Sequence, residues 1–232
     1  MVIGNGLVAK GFSAYNRDSN IVVFASGVSN STTTSEAAFS REAGLLSEIL
    51  RQHTEKKIVY ISTCSIYDES LNDSAYVRHK LAMEHLVASG AAHYHIFRIS
   101  NLAGKTGNPY TVLNFFYQHI RHQQPFQLWQ KAYRNIIDIE DAVAIAGYFI
   151  SRAAYLNQVV NIANPVSYPV TEIVSVIEKM TQKKAVYTTK NKGERPVIDT
   201  ALAERAISEL QLNFAGNYLE RVIEKYLLHN DI

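Results

Sequence analysis

Cys64 is the one cysteine in the sequence, so no internal disulfide can close, and a reducing compartment is expected. No run approaches the roughly 18 apolar residues of a membrane span. The first residues also lack the basic flank and apolar core of a secretory leader. A cytoplasmic location without membrane contact is the expectation. Basic residues outnumber acidic ones by only 23 to 21 and are dispersed, which argues against nucleic acid as a partner. His79, His85, His93 and His95 lack ligand partners at a metal-binding spacing, so no metal site is expected. Cys64 has no evident base beside it and reads as a small packing residue. Repeats and low-complexity tracts are absent apart from the Ser/Thr-rich stretch 29–35, which reads as a loop. Asn30-Ser31-Thr32 fits a glycosylation pattern that carries no meaning in such a compartment.

With 232 residues, 47% hydrophobic and 19% charged, the chain can bury one full domain, or one domain with a lobe. Val2-Ile3 leads into Gly4-Asn5-Gly6-Leu7-Val8-Ala9, which fits the G-x-G-x-x-G/A phosphate loop. There the glycines let the backbone approach a pyrophosphate resting on the next helix, here expected from Leu7 to about Tyr15. The alternative is a plain glycine turn between strand and helix. The next strand, Ile21-Val22-Val23-Phe24, ends in Ala25-Ser26-Gly27, small residues that admit a flat ring or a phosphate to the backbone. Only Asn16 to Asn20 separates the two units, so a strand-helix unit that would carry the residue reading the adenosine ribose is missing. Arg17 is either a contact for a 2′-phosphate or a solvated loop arginine.

Helical periodicity runs from Ser35 to about His53, with Ser35 or Thr34 as cap. The apolar run Lys57 to Ile61 then leads to Ser62-Thr63, an amphipathic segment spans Tyr76 to Ala88, and His93 to Ile99 is a further strand. Strands alternating with helices predict a parallel sheet covered on both faces, with ligands at the strands' carboxyl ends. Ala25 to Gly27, Thr63 and Ser100-Asn101 fall at those ends. Tyr76 and Lys80, four apart on one helix face, make an acid/base unit in which the ammonium lowers a phenol pKa of ~10. Thr63 can hold a reacting oxygen beside that phenol. The spacing alone also arises by chance in a chain with 14 tyrosines, where it means a surface tyrosine over a lysine stem.

The second half adds a helix from Asn108 to about Arg121 and a short strand, Gln124 to Trp129. Trp129 either stacks on a base or sugar or packs in the core. Helices follow at Asp141 to Arg152, with Asp141 as N-cap, and at Thr171 to Met180, capped by Thr171. Lys190 to Pro196 is a basic loop in which Arg195 either holds phosphate or lies in a solvated turn. The last helices start at about Thr200 and about Tyr218.

Taken together, the Gly4 loop, Ala25-Ser26-Gly27, Ser62-Thr63-Cys64-Ser65-Ile66-Tyr67, Tyr76 with Lys80, Arg98-Ile99-Ser100-Asn101-Leu102-Ala103-Gly104, Arg134 to Val143 and Val160-Asn161-Ile162-Ala163 form an ordered set. In this set the chain resembles the extended short-chain dehydrogenase/reductases of the NAD-dependent epimerase/dehydratase group, which act on nucleotide sugars. The resemblance implies an α/β fold, a Rossmann-like doubly wound parallel sheet with a smaller C-terminal substrate-binding lobe. Residues 1–104 would form the shortened nucleotide-binding part. Residues 105–232 would form mostly the lobe, with about 135–163 returning to the sheet.

The resemblance also implies roles. Tyr76 would be the acid/base, with Lys80 holding the nicotinamide ribose and Thr63 in the catalytic Ser/Thr place. The cofactor, NAD or NADP, would lie along Gly4, Asn5, Gly6, Leu7, Val8, Ala25, Ser26 and Gly27. Asn101 would contact substrate, and Arg134 either the diphosphate or a salt-bridge partner at the start of a strand. Two departures stand out: Asp68 occupies a place usually held by glycine, and Thr63 and Tyr76 are only 13 positions apart. The expected activity is reduction of a keto sugar or epimerisation on a nucleotide-activated sugar, within polysaccharide biosynthesis, by a possible homodimer. Reduction is favoured over dehydration because Cys64-Ser65 offers no carboxylate. The alternatives are a non-catalytic binder of sugar nucleotide or NAD(P), and a hydrolase using Ser62 or Ser65, for which a nucleophile elbow is lacking.

Overall fold

The computed structural model describes residues 1–228. Its first half runs β1 (Val2–Ile3), α1 (Leu7–Gly11), β2 (Ile21–Phe24), α2 (Glu36–Gln52), β3 (Lys57–Thr63), α3 (Ala75–Gly90) and β4 (His93–Ile99). Its second half begins with β5 (Asn101–Ala103), α4 (Val112–Arg121), β6 (Phe126–Trp129), β7 (Tyr133–Arg134), β8 (Ile136–Asp138) and α5 (Ile139–Ile150). There follow β9 (Gln158–Ile162), β10 (Tyr168–Pro169), α6 (Val170–Thr181), β11 (Tyr187–Lys190), α7 (Ala201–Glu209) and α8 (Tyr218–Ile223), which continues as a π-helical turn, Glu224–Leu228.

Strands β1, β2, β3, β4 and β9 pair in that order, all parallel. Every residue of β2 is buried, as a strand covered on both sides requires. Its alternate side chains serve two cores. Val22 and Phe24 pack with Leu46 and Ile49 of α2 and Met83 and Val87 of α3. Ile21 and Val23 face the opposite layer, with Phe12, Ile145, Ala146 and Phe149 of α5, and Ala206 of α7. The period of two along each strand thus makes one sheet with helices on both faces.

The shortening is larger than one strand-helix unit. In the usual doubly wound order further strands flank the first one on its outer side; among the described residues β1 is itself the edge. The first helix is also shorter than its apolar pattern predicts. It stops at Gly11, and residues Ser13–Arg17 form a 3-10 turn.

A further core gathers α4, α6 and α8 over β6, with Phe116, Ile120, Leu128, Ile173, Ile177 and Leu219 buried together. Three two-stranded ladders, β5 with β8, β6 with β11 and β7 with β10, frame this lobe. Two capping expectations are corrected. Helix α5 starts at Ile139 with Asp138 as its cap, accepting from Glu140 N at 2.8 Å. Asp141 falls in the first turn, where Tyr218 Oη donates to it at 2.7 Å. Helix α6 starts at Val170, so Thr171 lies inside it, and Pro169 at the cap position supplies no side-chain bond. The α2 cap is Ser35, accepting from Ala38 N at 3.3 Å.

Candidate active site

Thr63 is the last residue of β3, opposite Ile99 of β4. Its hydroxyl accepts from Ser65 N at 3.0 Å and donates to Ser65 Oγ at 2.9 Å, which turns the chain away from the sheet. Ser74 then caps α3, accepting from Val77 N at 3.1 Å, so that Tyr76 enters the first turn facing inward. The phenol comes close to the Thr63 side chain, and both residues are buried. The strand end and the helix start therefore place the two hydroxyls together, as the sequence pattern predicts. Burial raises the Tyr76 pKa, with the nearby Thr63 hydroxyl opposing the rise and the Glu42 charge adding to it. At neutral pH the group is a phenol.

Lys80 is not the cause of any lowering. Its Nζ donates to Tyr60 Oη at 2.6 Å, to Ile61 O at 2.9 Å and to Glu42 Oε1 at 3.2 Å. An ammonium has three protons, and all three are committed. The helix does put Tyr76 and Lys80 on the same buried face, but the lysine stem carries the charge on to Glu42 of α2. Glu42 was not singled out by motif reading, although a signal existed. It occupies the stripe of buried α2 positions otherwise held by Leu46, Ile49 and Leu50, and a carboxylate there demands partners.

A second ion pair, partly buried, lies alongside. Arg98 of β4 clasps Glu84 of α3 through Nη2 at 2.6 Å and Nε at 2.9 Å, while Ser62 donates to Glu84 at 2.5 Å. Arg98 also donates to Tyr67 Oη at 3.0 Å, and that hydroxyl donates to Asn161 Oδ1 at 2.9 Å, which ties the 64–67 turn to β9. Ser62 is thereby occupied. The Cys64 thiol is pushed up to about 12 by burial and donates to Arg98 O at 3.1 Å, the position of an inert packing residue. Among the described residues no cluster of ligands could hold a metal ion.

Residues on the phosphate-loop side fit a dinucleotide's diphosphate. Gly4 has φ +129°, and a Cβ there would lie 2.6 Å from Ala25 O, so only glycine lets the loop lie against the turn after β2. The space over Gly6 is open, and Gly6, Asn5 and Gly4 are exposed. Ser26 receives Arg41 of α2 on both its carbonyl, at 2.9 Å, and its hydroxyl, at 3.2 Å. The adenosine side does not match the usual arrangement, since among the described residues no strand lies beyond β1 to carry the ribose-reading residue.

Of the expected substrate contacts, Asn101 opens β5, and its amide donates to Asn135 O at 2.9 Å. The neighbouring Ser100 hydroxyl is buried and unpartnered among the described residues. Arg134 donates to Tyr133 O at 2.8 Å and forms no ion pair among the described residues. Burial lowers its pKa, with Asp68 the nearby acid opposing. Arg195 lies over the Tyr133 ring at 4.8 Å, because the 190–196 loop runs beside residues 130–134 through bonds such as Tyr133 N to Glu194 O at 2.9 Å. The two arginines thus share one tyrosine. Trp129 packs on the lobe core and carries Lys192 Nζ over its ring at 3.8 Å.

A family model described as the NAD dependent epimerase/dehydratase family matches residues 17–163. No curated protein matches. Among solved structures, UDP-glucuronic acid 4-epimerase from Bacillus cereus, in complex with UDP-glucuronic acid and NAD, superposes with a TM-score of 0.72. It is 17% identical over 88% of this chain and 73% of its own. UDP-glucose 4-epimerase from Thermus thermophilus, in complex with NAD, gives 0.69 at 15% identity over 93% and 78%. dTDP-glucose 4,6-dehydratase from Bacillus anthracis, in complex with NAD, gives 0.68 at 16% over 92% and 75%. At these identities the likeness is one of fold.

Proposed function

The chain belongs to the NAD dependent epimerase/dehydratase family, and from that premise we propose that it is an NAD-dependent enzyme that modifies a nucleotide-activated sugar, most specifically by reducing a keto sugar. The observation that carries the reading is the placement of the buried Tyr76 phenol beside the Thr63 side chain at the carboxyl end of β3. NADH, or NADPH in its place, would supply the hydride when bound and be left as NAD or NADP. The Gly4 to Val8 loop and the Ala25 to Gly27 turn would hold it.

Thr63 would fix the carbonyl oxygen of the sugar by a hydrogen bond. Tyr76, kept protonated by burial, would give its proton to that oxygen as negative charge develops there. At neutral pH the phenol holds its proton, the state that the acid role requires. Arg134 and Arg195, cations with no carboxylate partner among the described residues, would take the diphosphate oxygens, a pairing that suits the planar guanidinium. Asn101 would reach the sugar through its amide carbonyl oxygen.

A second reading, binding of the same ligands without turnover, is favoured by the committed Lys80 protons and the edge position of β1. Fluorescence titration with NADH and NADPH, on the native protein and on Tyr76→Phe, separates the two. The expected result is saturable binding by both proteins, with oxidation of cofactor by keto-sugar nucleotides slower by about 10²–10⁴-fold in the variant. Binding without any turnover supports the second reading. No binding of either cofactor sinks the oxidoreductase assignment.

A further inference from the structure

Glu42 is wholly buried, and its carboxylate receives bonds from four directions. Val28 N donates at 2.6 Å, Tyr60 Oη at 2.7 Å and Lys80 Nζ at 3.2 Å, and His79 Nε2 lies at 3.0 Å. A carboxylate has about four acceptor sites, so this one is saturated. Gly27 closes the arrangement from the ligand side. A Cβ there would lie 2.9 Å from Glu42 Oε1 and 3.0 Å from Lys80 Nζ, so the turn after β2 rests directly on the ion pair.

A buried ion pair contributes little net stability over an apolar replacement, because desolvation offsets the attraction. Stability alone therefore does not account for a glutamate here. The geometry does give it something to do. It joins the turn after β2, the middle of β3 and the first turns of α3, the pieces that face a ligand at the carboxyl end of the sheet.

We propose that Glu42 is the positioning residue of this site: its carboxylate ties the Lys80 ammonium to the Gly27–Val28 turn and stays behind as counter-charge when Lys80 turns to a bound dinucleotide. The Glu42 contact is the longest of the three that Lys80 makes, and is the one to be exchanged for a ribose hydroxyl. After that exchange Val28, Tyr60 and His79 still satisfy the carboxylate. Burial lowers the Lys80 pKa while Glu42 opposes the fall. Without Glu42 the lysine loses its proton at lower pH.

The inference rests on the dinucleotide reading, and its test tells the two apart. NADH affinity is measured by fluorescence between about pH 6 and about pH 9.5 for the native protein, Glu42→Gln and Glu42→Asp. Near pH 6 native protein and Glu42→Gln bind within about threefold, and by about pH 9 the Gln variant binds at least tenfold more weakly, one pKa unit being a factor of ~10. Glu42→Asp, which keeps the charge, follows the native curve. Superimposable native and Gln curves overturn the proposal and leave the dinucleotide reading standing. Absence of NADH binding by the native protein overturns both. If Glu42→Gln does not fold, recovery of folding in Glu42→Gln/Lys80→Met supports the proposal, since the uncompensated ammonium is then the cause. A double variant that stays unfolded overturns it.

Discussion

Charge is handled differently by the sheet half and by the lobe. Beneath the carboxyl ends of β3 and β4, cations are matched with carboxylates, buried Lys80 with Glu42 and partly buried Arg98 with Glu84. On the lobe's rim, Lys192 and Arg195 lie over Trp129 and Tyr133 instead. Matched charges fix atoms in place, whereas cations resting on aromatic faces keep their capacity for an anion. The first region fixes geometry, and the second leaves its cations off carboxylates.

The pairing in the sheet half is broken most directly at Glu84. Glu84→Gln leaves Arg98 without its carboxylate, and is expected to cost about 3–5 kcal/mol in urea unfolding. A loss below about 1 kcal/mol would remove the distinction between the two regions.

His95 sharpens the contrast, because it is a titratable group that the sheet half buries with no hydrogen-bond partner, among the described residues, at either ring nitrogen. Burial, with Lys57 adding to it, lowers its pKa from 6.5 to about 4. A depressed pKa means that the unfolded chain binds the proton first. The stabilising contribution is therefore full above about pH 6.5 and is lost as pH falls towards about 4, a difference on the order of 3 kcal/mol. Urea midpoints of native protein and His95→Phe across that window test this, and the variant should show the flatter profile.

The smallest effect is expected on the rim. Arg195→Ala should weaken binding of a nucleoside diphosphate about tenfold, the loss of one charge-assisted contact, while leaving the urea midpoint within about 0.5 kcal/mol. An isothermal titration in which Arg195→Ala binds as well as the native protein would remove the loop from the site.

How far all this was legible from sequence depends on the range of the interactions. The sheet was legible because Ile21 to Phe24 and His93 to Ile99 carry their own pattern, and the Thr63–Tyr76 pairing because strand, turn and capped helix lie close in the chain. Lys80 was misread because its partners come from α2 and β3, and helix geometry alone points it only towards its own neighbours. The place of β1 was hidden for a similar reason: a missing segment shows in the sequence as a short spacing, while strand order emerges only from pairing. Asp138 was overlooked as a cap in favour of Asp141, since both precede the same apolar run and are told apart by distant partners, Tyr218 for Asp141 and Lys225 for Asp138.

The position of β1 also bears on self-association. A free strand edge offers unpaired N–H and C=O groups on which a second chain can extend a sheet, and proteins guard such edges against aggregation. Here the guard is brevity. β1 is two residues long, and Gly4 at φ +129° turns the backbone out of the strand direction immediately after it. A foreign strand would find little ladder to grip along β1, whereas the sheet's other edge among the described residues, β9, is five residues long.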